Sequence, residues 1–252
     1  MKKLYEKSEL TFALVCIAAY CVLQSLANPL DRTIGVPYSA SAILCALQAV
    51  FLWSFLRQNG LFQRYGLCRS SVPGKQFLYH IPLLILMTRN FWNGIAINLP
   101  LSGMICYIVC MLCVGFVEEV IFRGLLFKAL EKDNVDTAIV ISSVTFGLGH
   151  LLNLINGSGM GLAENLFQVT GAIAIGFLFV VLFHRGESLY PCVIAHAVIN
   201  ITSAFANVDG LTMERRMIFH VISIAITAGY IFVLDRTLPK KPRTNGNVDV
   251  DG

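Results

Sequence analysis

Charge is the scarcest property of this sequence. Only 13% of its 252 residues are Asp, Glu, Lys or Arg, whereas soluble domains carry about 25%. Hydrophobic residues make up 56% of the chain, and its mean hydropathy is +0.69. A chain of this composition cannot hide its apolar surface in a core of its own, which makes an oily soluble bundle the poorer alternative. The sequence predicts an all-α, polytopic membrane protein.

Several functional classes lack their usual sequence signals here. The formal charge is only +4, and no basic patch alternates with aromatic residues, so nucleic acid is not expected as a partner. The eight cysteines lie mostly in apolar segments without paired loop spacings, which argues against a disulfide framework. Cys106, Cys110 and Cys113 share one helical face, yet burial in apolar surroundings keeps thiols protonated. We therefore interpret them as small buried side chains in preference to a thiolate metal site.

Apolar runs and helix-breaking residues divide the chain into about eight membrane spans. Arg89, Asn90 and Asn93 interrupt the third span, which we expect to be part span and part interfacial helix. Together the spans predict a single transmembrane domain over residues 1–238. The Pro-, Gly- and charge-rich residues 239–252 are expected to form a disordered cytosolic tail. The predicted spans are 10–27, 37–57, 76–98, 103–128, 136–155, 164–184, 189–207 and 216–235.

Basic residues are distributed unequally between the two ends of these spans. Fourteen lie in segments on the same side as the N-terminus, and four, Arg32, Arg89, Arg215 and Arg216, lie on the other side. Cytoplasmic loops of membrane proteins carry an excess of Lys and Arg. We therefore predict that both termini are cytoplasmic. The first apolar stretch is not followed by a clear small-residue cleavage site, so it is predicted to be a retained span.

Two glutamates and an arginine nevertheless stand inside the fourth span. On insertion scales each charge near the centre of a membrane helix costs roughly 2.5–3.5 kcal/mol. Glu119 and Arg123 are four residues apart and share a helix face, so they can form an ion pair. If Glu119 pairs with Arg123, Glu118 is left free to act as a general base towards water. A purely structural polar cluster between helices is the alternative.

Two histidines and an asparagine complete this group of polar residues. His150 lies in the fifth span, and His196 and Asn200 lie one turn apart in the seventh. Counted from the cytosolic ends at a rise of about 1.5 Å per residue, they lie at depths comparable to that of Glu118. One cavity in the cytosolic half to the middle of the membrane can therefore hold them all. A base, an imidazole and paired hydrogen-bond donors for an oxyanion are the equipment for amide hydrolysis.

Three short motifs carry these residues. EEVIFR (118–123), FGLGH (146–150) and HAVIN (196–200) fit the patterns EExxxR, FxxxH and HxxxN in that order. Over residues 100–205 the chain resembles the CAAX protease and bacteriocin-processing (CPBP, or Abi) family. These intramembrane proteases include the Ras-converting CAAX prenyl endopeptidase. The compact sequence without large loops resembles prokaryotic members, which implies an integral protein of a prokaryotic cell membrane.

The resemblance implies a role for each motif residue and a helical bundle with a conical cavity that opens to the cytosol. Glu118 with His150 would activate the attacking water. His196 and Asn200 would stabilise the tetrahedral oxyanion. The residues that would support this site are Glu119, Arg123 and Phe146.

A divalent metal at this site is left open by the sequence. Glu118, His150 and His196 together with a water would fit an open catalytic zinc site. The sequence has no HExxH motif, however, and direct water activation uses the same residues. We slightly favour the account without a metal.

The resemblance also implies the kind of substrate. We expect a peptide or a lipidated protein as substrate and the lipid bilayer as surroundings. The sequence carries no readable signal for prenylation of that substrate or for an oligomeric state. The alternative function is a non-catalytic membrane scaffold or a bacteriocin self-immunity protein. In that case Glu118 and His150 could be replaced without loss of function.

Overall fold

The protein is built from helices. Its structure is a computed structural model that describes residues 1–70, 72–73, 80–156 and 159–238. Single-turn 3₁₀ segments cover Arg89–Phe91 and His150–Leu154. The longer elements are α1 (Lys2–Lys7), α2 (Glu9–Ile34), α3 (Ser39–Gln58), α4 (His80–Met87), α5 (Leu101–Glu118), a π-helix (Glu119–Phe127), α6 (Lys128–Leu130), α7 (Val135–Gly149), α8 (Leu162–Gly186), α9 (Tyr190–Ser203) and α10 (Met213–Thr237).

Local sequence signals set the ends of the long helices. The Ser8 side chain accepts a hydrogen bond from the backbone N–H of Thr11 and caps α2. Asn134 and Thr212 cap α7 and α10 in the same way. α2 ends at Gly35, whose φ of 78° is left-handed and therefore suits a residue without a Cβ. Such caps satisfy backbone groups that the helix itself leaves unpaired.

Six of the eight predicted spans are confirmed as helices long and apolar enough to cross a membrane. α5, the π-helix and α6 form one of them, a continuous helix of 30 residues. The seventh predicted span is a shorter apolar helix, α9. The predicted tail, 239–252, lies outside the described residues.

The described part of the third predicted span is not a continuous helix. The described part of α4 has eight residues, about 12 Å at helical rise, and the helix ends at Met87, well before the predicted end of the span at residue 98. The chain leaves the helical path after α4 because its amide side chains bond to another part of the protein. Asn90 donates to the carbonyl of Ile199, and Asn98 donates to the carbonyls of Ala204 and Ala206. A single antiparallel bridge between Ile95 and Ala206 completes this contact.

The alternating direction of the long helices gives the bundle two faces. The terminal face comprises residues 1–8, 59–70, 131–134 and 187–189, and the opposite face comprises residues 35–38, 88–100, 155–156, 159–161 and 204–212. Across the terminal face, Glu9 lies 2.6 Å from Arg64 and 2.8 Å from Lys132. Across the opposite face, the backbone N–H of Ala96 donates to the carbonyl of Phe205. The protein therefore carries its N-terminus and the end of α10 on one face.

Side chains sort as expected for a bundle in lipid. Large apolar side chains such as Val22, Val50 and Phe232 are exposed on the outer surfaces of α2, α3 and α10. The charged pair Glu119 and Arg123 is wholly buried among the helices. An apolar exterior around a polar interior is the pattern of a polytopic membrane bundle.

Candidate active site

A change in helix geometry positions the glutamate pair. Glu118 is the last residue of α5, and the π-helix begins at Glu119. A π-helix bonds each residue to the fifth along the chain, is rare, and is frequently found at functional sites. Within this wider segment the carbonyl of Phe122 accepts a hydrogen bond from the hydroxyl of Ser142 on α7, at 2.8 Å. The neighbouring helix therefore helps to hold the unusual backbone.

Close contact between α5 and α9 brings the first and third motifs together. A Cβ atom on Gly115 would lie 2.9 Å from the backbone nitrogen of Ala197, a distance at which something must shift. Glycine therefore permits a helix separation that alanine would not. Gly115 lies one turn before Glu118 and Glu119, and Ala197 follows His196 in the chain. This crossing places the glutamates beside the His196 ring.

Glu119, Arg123 and His196 form a buried charged cluster. Glu119 and Arg123 have no exposed side-chain surface, and Nη1 of Arg123 lies 3.1 Å from Oε1 of Glu119. The predicted ion pair is therefore present. The same Glu119 oxygen lies 2.7 Å from Nδ1 of His196. Glu119 thus fixes the orientation of His196, a link that the spacing of the motifs does not indicate.

Two aromatic rings complete the surroundings of Arg123. Its guanidinium carbon lies 4.0 Å from the centre of the Phe146 ring and 5.6 Å from that of Phe179. An arginine over an aromatic face gains electrostatic stabilisation, most of all where water is excluded. Phe146 therefore supports the first motif as well as His150, whose ring centre is 5.4 Å away.

Glu118 lies between a tyrosine and a histidine. The hydroxyl of Tyr20, on α2, donates to Oε1 of Glu118 at 2.5 Å. Oε2 of Glu118 lies 3.3 Å from Nε2 of His196, but it has no hydrogen bond within the described part of the chain. A buried carboxylate oxygen without such a bond is costly and needs a functional explanation. Glu118 is therefore oriented by one oxygen and available for chemistry through the other.

A cavity of about 510 Å³ joins three of the four predicted catalytic residues. Glu118, His150 and Asn200 all line this central cavity, whose volume is in the usual range for ligand sites. His196 is buried behind Glu118, with only 7% of its surface exposed. No hydrogen bond to the Asn200 amide is found among the described residues, whereas its backbone carbonyl accepts from Tyr107 and Ser203. The Asn200 amide is therefore available to a ligand.

The central cavity lies in the half of the bundle nearest the opposite face. α2 lines it with residues 20–28, from the second half of that helix, and α3 lines it with Ser41, near its start. α9 contributes Ile199, Asn200 and Ser203, from its last turns. All of these positions lie away from the ends of the helices that form the terminal face. The cavity consequently lies away from the face that carries Met1 and the end of α10.

The side chains do not fit the zinc site considered for Glu118, His150 and His196. Within the described residues, no three His, Cys, Asp or Glu side chains form a group that could hold a metal ion. Both ring nitrogens of His196 face carboxylates, with Glu119 at Nδ1 and Glu118 at Nε2. Nε2 of His196 and Oε2 of Glu118 lie 3.3 Å apart, a spacing that two ligands of one zinc ion could have; what the described residues do not bring to this pair is a third ligand.

Some residues of the site carry no motif and were not predicted. Tyr20 stands in an apolar span, where tyrosine is common, so its contact with Glu118 has no local sequence signal. Arg89 and Asn90 were predicted only as interruptions of a span, yet both line the central cavity. Charged and amide side chains inside an apolar run are the signal that could have assigned them to a site.

Comparison with known proteins agrees with the motifs. Residues 100–202 match the model of the family described as Type II CAAX prenyl endopeptidase Rce1-like. This range runs from the start of α5 almost to the end of α9 and contains all three motifs. Neither the curated proteins nor the solved structures yield a significant match. Over residues 100–202 the chain is therefore similar to the Rce1-like CAAX prenyl endopeptidases, the family that the three motifs predict.

Proposed function

We propose that the protein is an intramembrane endopeptidase of the CAAX prenyl protease type that hydrolyses a peptide bond with water activated by Glu118. The observation that carries the proposal is the state of the Glu118 carboxylate. One oxygen is held by Tyr20, and the other lacks a hydrogen bond at the wall of a ligand-sized cavity. The family match supports the same reaction class.

The first step forms the bond between water and the substrate. Glu118 takes a proton from a water molecule, and the water oxygen attacks the carbonyl carbon of the scissile peptide bond. His150 lines the same cavity, and it orients that water. A positioned general base contributes roughly 10²–10⁴-fold to such a step.

The second step places negative charge on the substrate carbonyl oxygen. The side-chain amide of Asn200 donates to this oxyanion, because it lines the cavity and is not engaged elsewhere in the described residues. The resemblance assigns His196 to the oxyanion as well. In this structure both His196 nitrogens face carboxylates, so we propose that His196 positions Glu118 and that Asn200 is the donor to the oxyanion.

The third step breaks the C–N bond. Glu118 returns its proton to the leaving nitrogen, which departs as an amine, and the carboxylate is regenerated. Throughout, Glu119 holds His196 through Nδ1, as the carboxylate of a hydrolase triad holds its histidine, and Arg123 in turn holds Glu119. The reaction consumes one water, and the residues present supply every proton transfer in these steps.

The peptides of a host membrane provide the test of this function. Cells that contain the wild-type protein are expected to show new peptide termini that are absent in cells with the double variant Glu118→Gln/Asn200→Ala at matched abundance. Mass spectrometry of membrane peptides measures those termini. If the two sets of termini are the same, the protein does not act as a protease, and the scaffold alternative replaces this proposal.

The position of the cavity bears on two predictions about orientation. The distribution of basic residues predicts cytoplasmic termini, and the family resemblance implies a cavity open to the cytosol. The cavity, however, lies towards the face opposite to the termini. Of the described basic residues, ten lie at or near the terminal face and four at the opposite face. We therefore propose cytoplasmic termini and a cavity directed away from the cytosol.

A tag-accessibility experiment tests this orientation. A short epitope inserted after Asp209, on the opposite face, is expected to bind antibody in intact cells. The same epitope after Asp133, on the terminal face, is expected to bind only after permeabilisation. The reverse pattern would place the cavity on the cytosolic side, as the family resemblance implies.

A further inference from the structure

Arg89 occupies a wall between two cavities. It begins the turn that follows α4 and lines both the central cavity and a smaller one of about 270 Å³. The smaller cavity is bounded by side chains of α8 and α10, among them Phe167 and Phe219. A guanidinium at this position can reach a ligand that occupies the central cavity.

No negative charge accompanies Arg89. Within the described part of the chain, no hydrogen bond or ion pair joins the Arg89 guanidinium to another residue. Glu164, the carboxylate on the wall of the smaller cavity, lies 3.5 Å from Arg216. Glu118, the carboxylate of the central cavity, makes no ion pair with Arg89 among the described residues, and its recorded contacts are with Tyr20 and His196. Burial lowers the pKa of the Arg89 guanidinium, and arginine in such surroundings normally has a carboxylate or phosphate partner.

The neighbouring residue fixes Arg89 close to the reaction site. The Asn90 side chain donates to the carbonyl of Ile199 at 2.6 Å and to the hydroxyl of Thr202 at 2.9 Å. These contacts hold the turn against α9, beside Asn200. Because consecutive Cα atoms are about 3.8 Å apart, the backbone of Arg89 is anchored near the residue proposed to bind the oxyanion.

We propose that Arg89 binds a carboxylate of the peptide substrate and thereby selects which peptides are cleaved; this inference rests on the proposed function. The carboxylate is that of the peptide C-terminus or of an acidic side chain near the scissile bond. Either one supplies two coplanar oxygens that match the planar guanidinium. Arg89 takes no part in the proton transfers, so it is a residue of specificity.

Paired peptide libraries provide the test. Purified protein in detergent is given two pairs of hydrophobic decapeptides. The members of the first pair end in a free carboxylate or in a carboxamide, and those of the second pair carry an internal Glu or its amide analogue Gln. The wild type is expected to cleave one acidic member with a kcat/KM about 10- to 100-fold above its amide partner. Arg89→Gln is expected to abolish that preference. Arg89→Lys is expected to keep part of it, since lysine retains the positive charge but lacks the planar pair of N–H donors that matches a carboxylate.

The outcomes separate this inference from the proposed function. A wild-type preference for either acidic member that disappears in Arg89→Gln supports the inference and identifies the source of the carboxylate. Cleavage without a preference, or an equal loss on acid and amide in Arg89→Gln, overturns it. A third outcome is that the wild type shows no preference for acidic peptides, but its cleavage rate in liposomes depends on anionic lipid and Arg89→Gln removes that dependence. In that case Arg89 binds a lipid headgroup and the inference is wrong. Failure to cleave any member in a Glu118-dependent way contradicts the proposed function itself.

Discussion

Replacement of Glu118 with Gln is expected to lower kcat/KM by about 10²–10⁴-fold, the usual contribution of a general base. Glutamine has the same shape, and its amide oxygen can still accept the hydrogen bond from Tyr20, but it cannot take a proton from water. The rate of peptide cleavage by purified protein measures the effect. The folded fraction should remain that of the wild type, because the variant introduces neither a cavity nor a new charge.

Two controls sharpen this experiment. Glu214→Gln changes an exposed glutamate in the first turn of α10 and should leave the rate unchanged. Wild-type protein treated with a chelator should also keep its rate, because the proposed steps use no metal. A Glu118→Gln variant that cleaves as fast as the wild type would show that another group activates the water.

Replacement of Arg123 with Met is expected to lower the free energy of unfolding by about 3–5 kcal/mol, the cost of removing one partner from a buried ion pair. Arg123 has no exposed surface and lies 3.1 Å from Glu119, which is equally buried. Its removal leaves the Glu119 carboxylate in an apolar interior with His196 as its remaining partner. Denaturation of the purified protein in detergent micelles measures the change.

A surface ion pair provides the matched comparison. Arg64 lies 2.6 Å from Glu9, but 42% of its side chain is exposed, and such pairs contribute about 0–1 kcal/mol. Arg64→Met should therefore cost far less than Arg123→Met. The double variant Glu119→Gln/Arg123→Met should recover part of the loss, because it removes the unpaired charge. Equal destabilisation by the two single Met variants would contradict the importance assigned to the buried pair.

The sequence was most informative where charged side chains occur inside an apolar membrane span. Glu118, Glu119 and Arg123 stand out because each charge in an apolar span is costly, and their spacing alone predicted the ion pair that the structure contains. The long apolar helices were predictable for a related reason, since about 20 apolar residues are needed to cross the hydrocarbon layer. These signals lie in single segments, and a segment can be interpreted without knowledge of its neighbours.

Relations between segments were less predictable. Contact of Tyr20 with Glu118 depends on how α2 packs against α5. The π-helix from Glu119 is supported by a hydroxyl from another helix, Ser142, and residues 119–127 have no composition that distinguishes a π-helix from an α-helix. The depths of the motif residues, counted along each helix, also did not reveal that the cavity lies in the half of the bundle nearest the opposite face.

The separation of the cavity from Met1 and from the end of α10 has a practical consequence for work with the protein. Tethering the molecule by a tag at Met1 leaves the route to Asn200 free, because the tag lies on the terminal face. Immobilised protein can therefore be presented to soluble peptides with the face nearest the central cavity directed outward. Under the proposed function, an inhibitory antibody would be raised against the loops 35–38 and 204–212, on the face nearest the cavity.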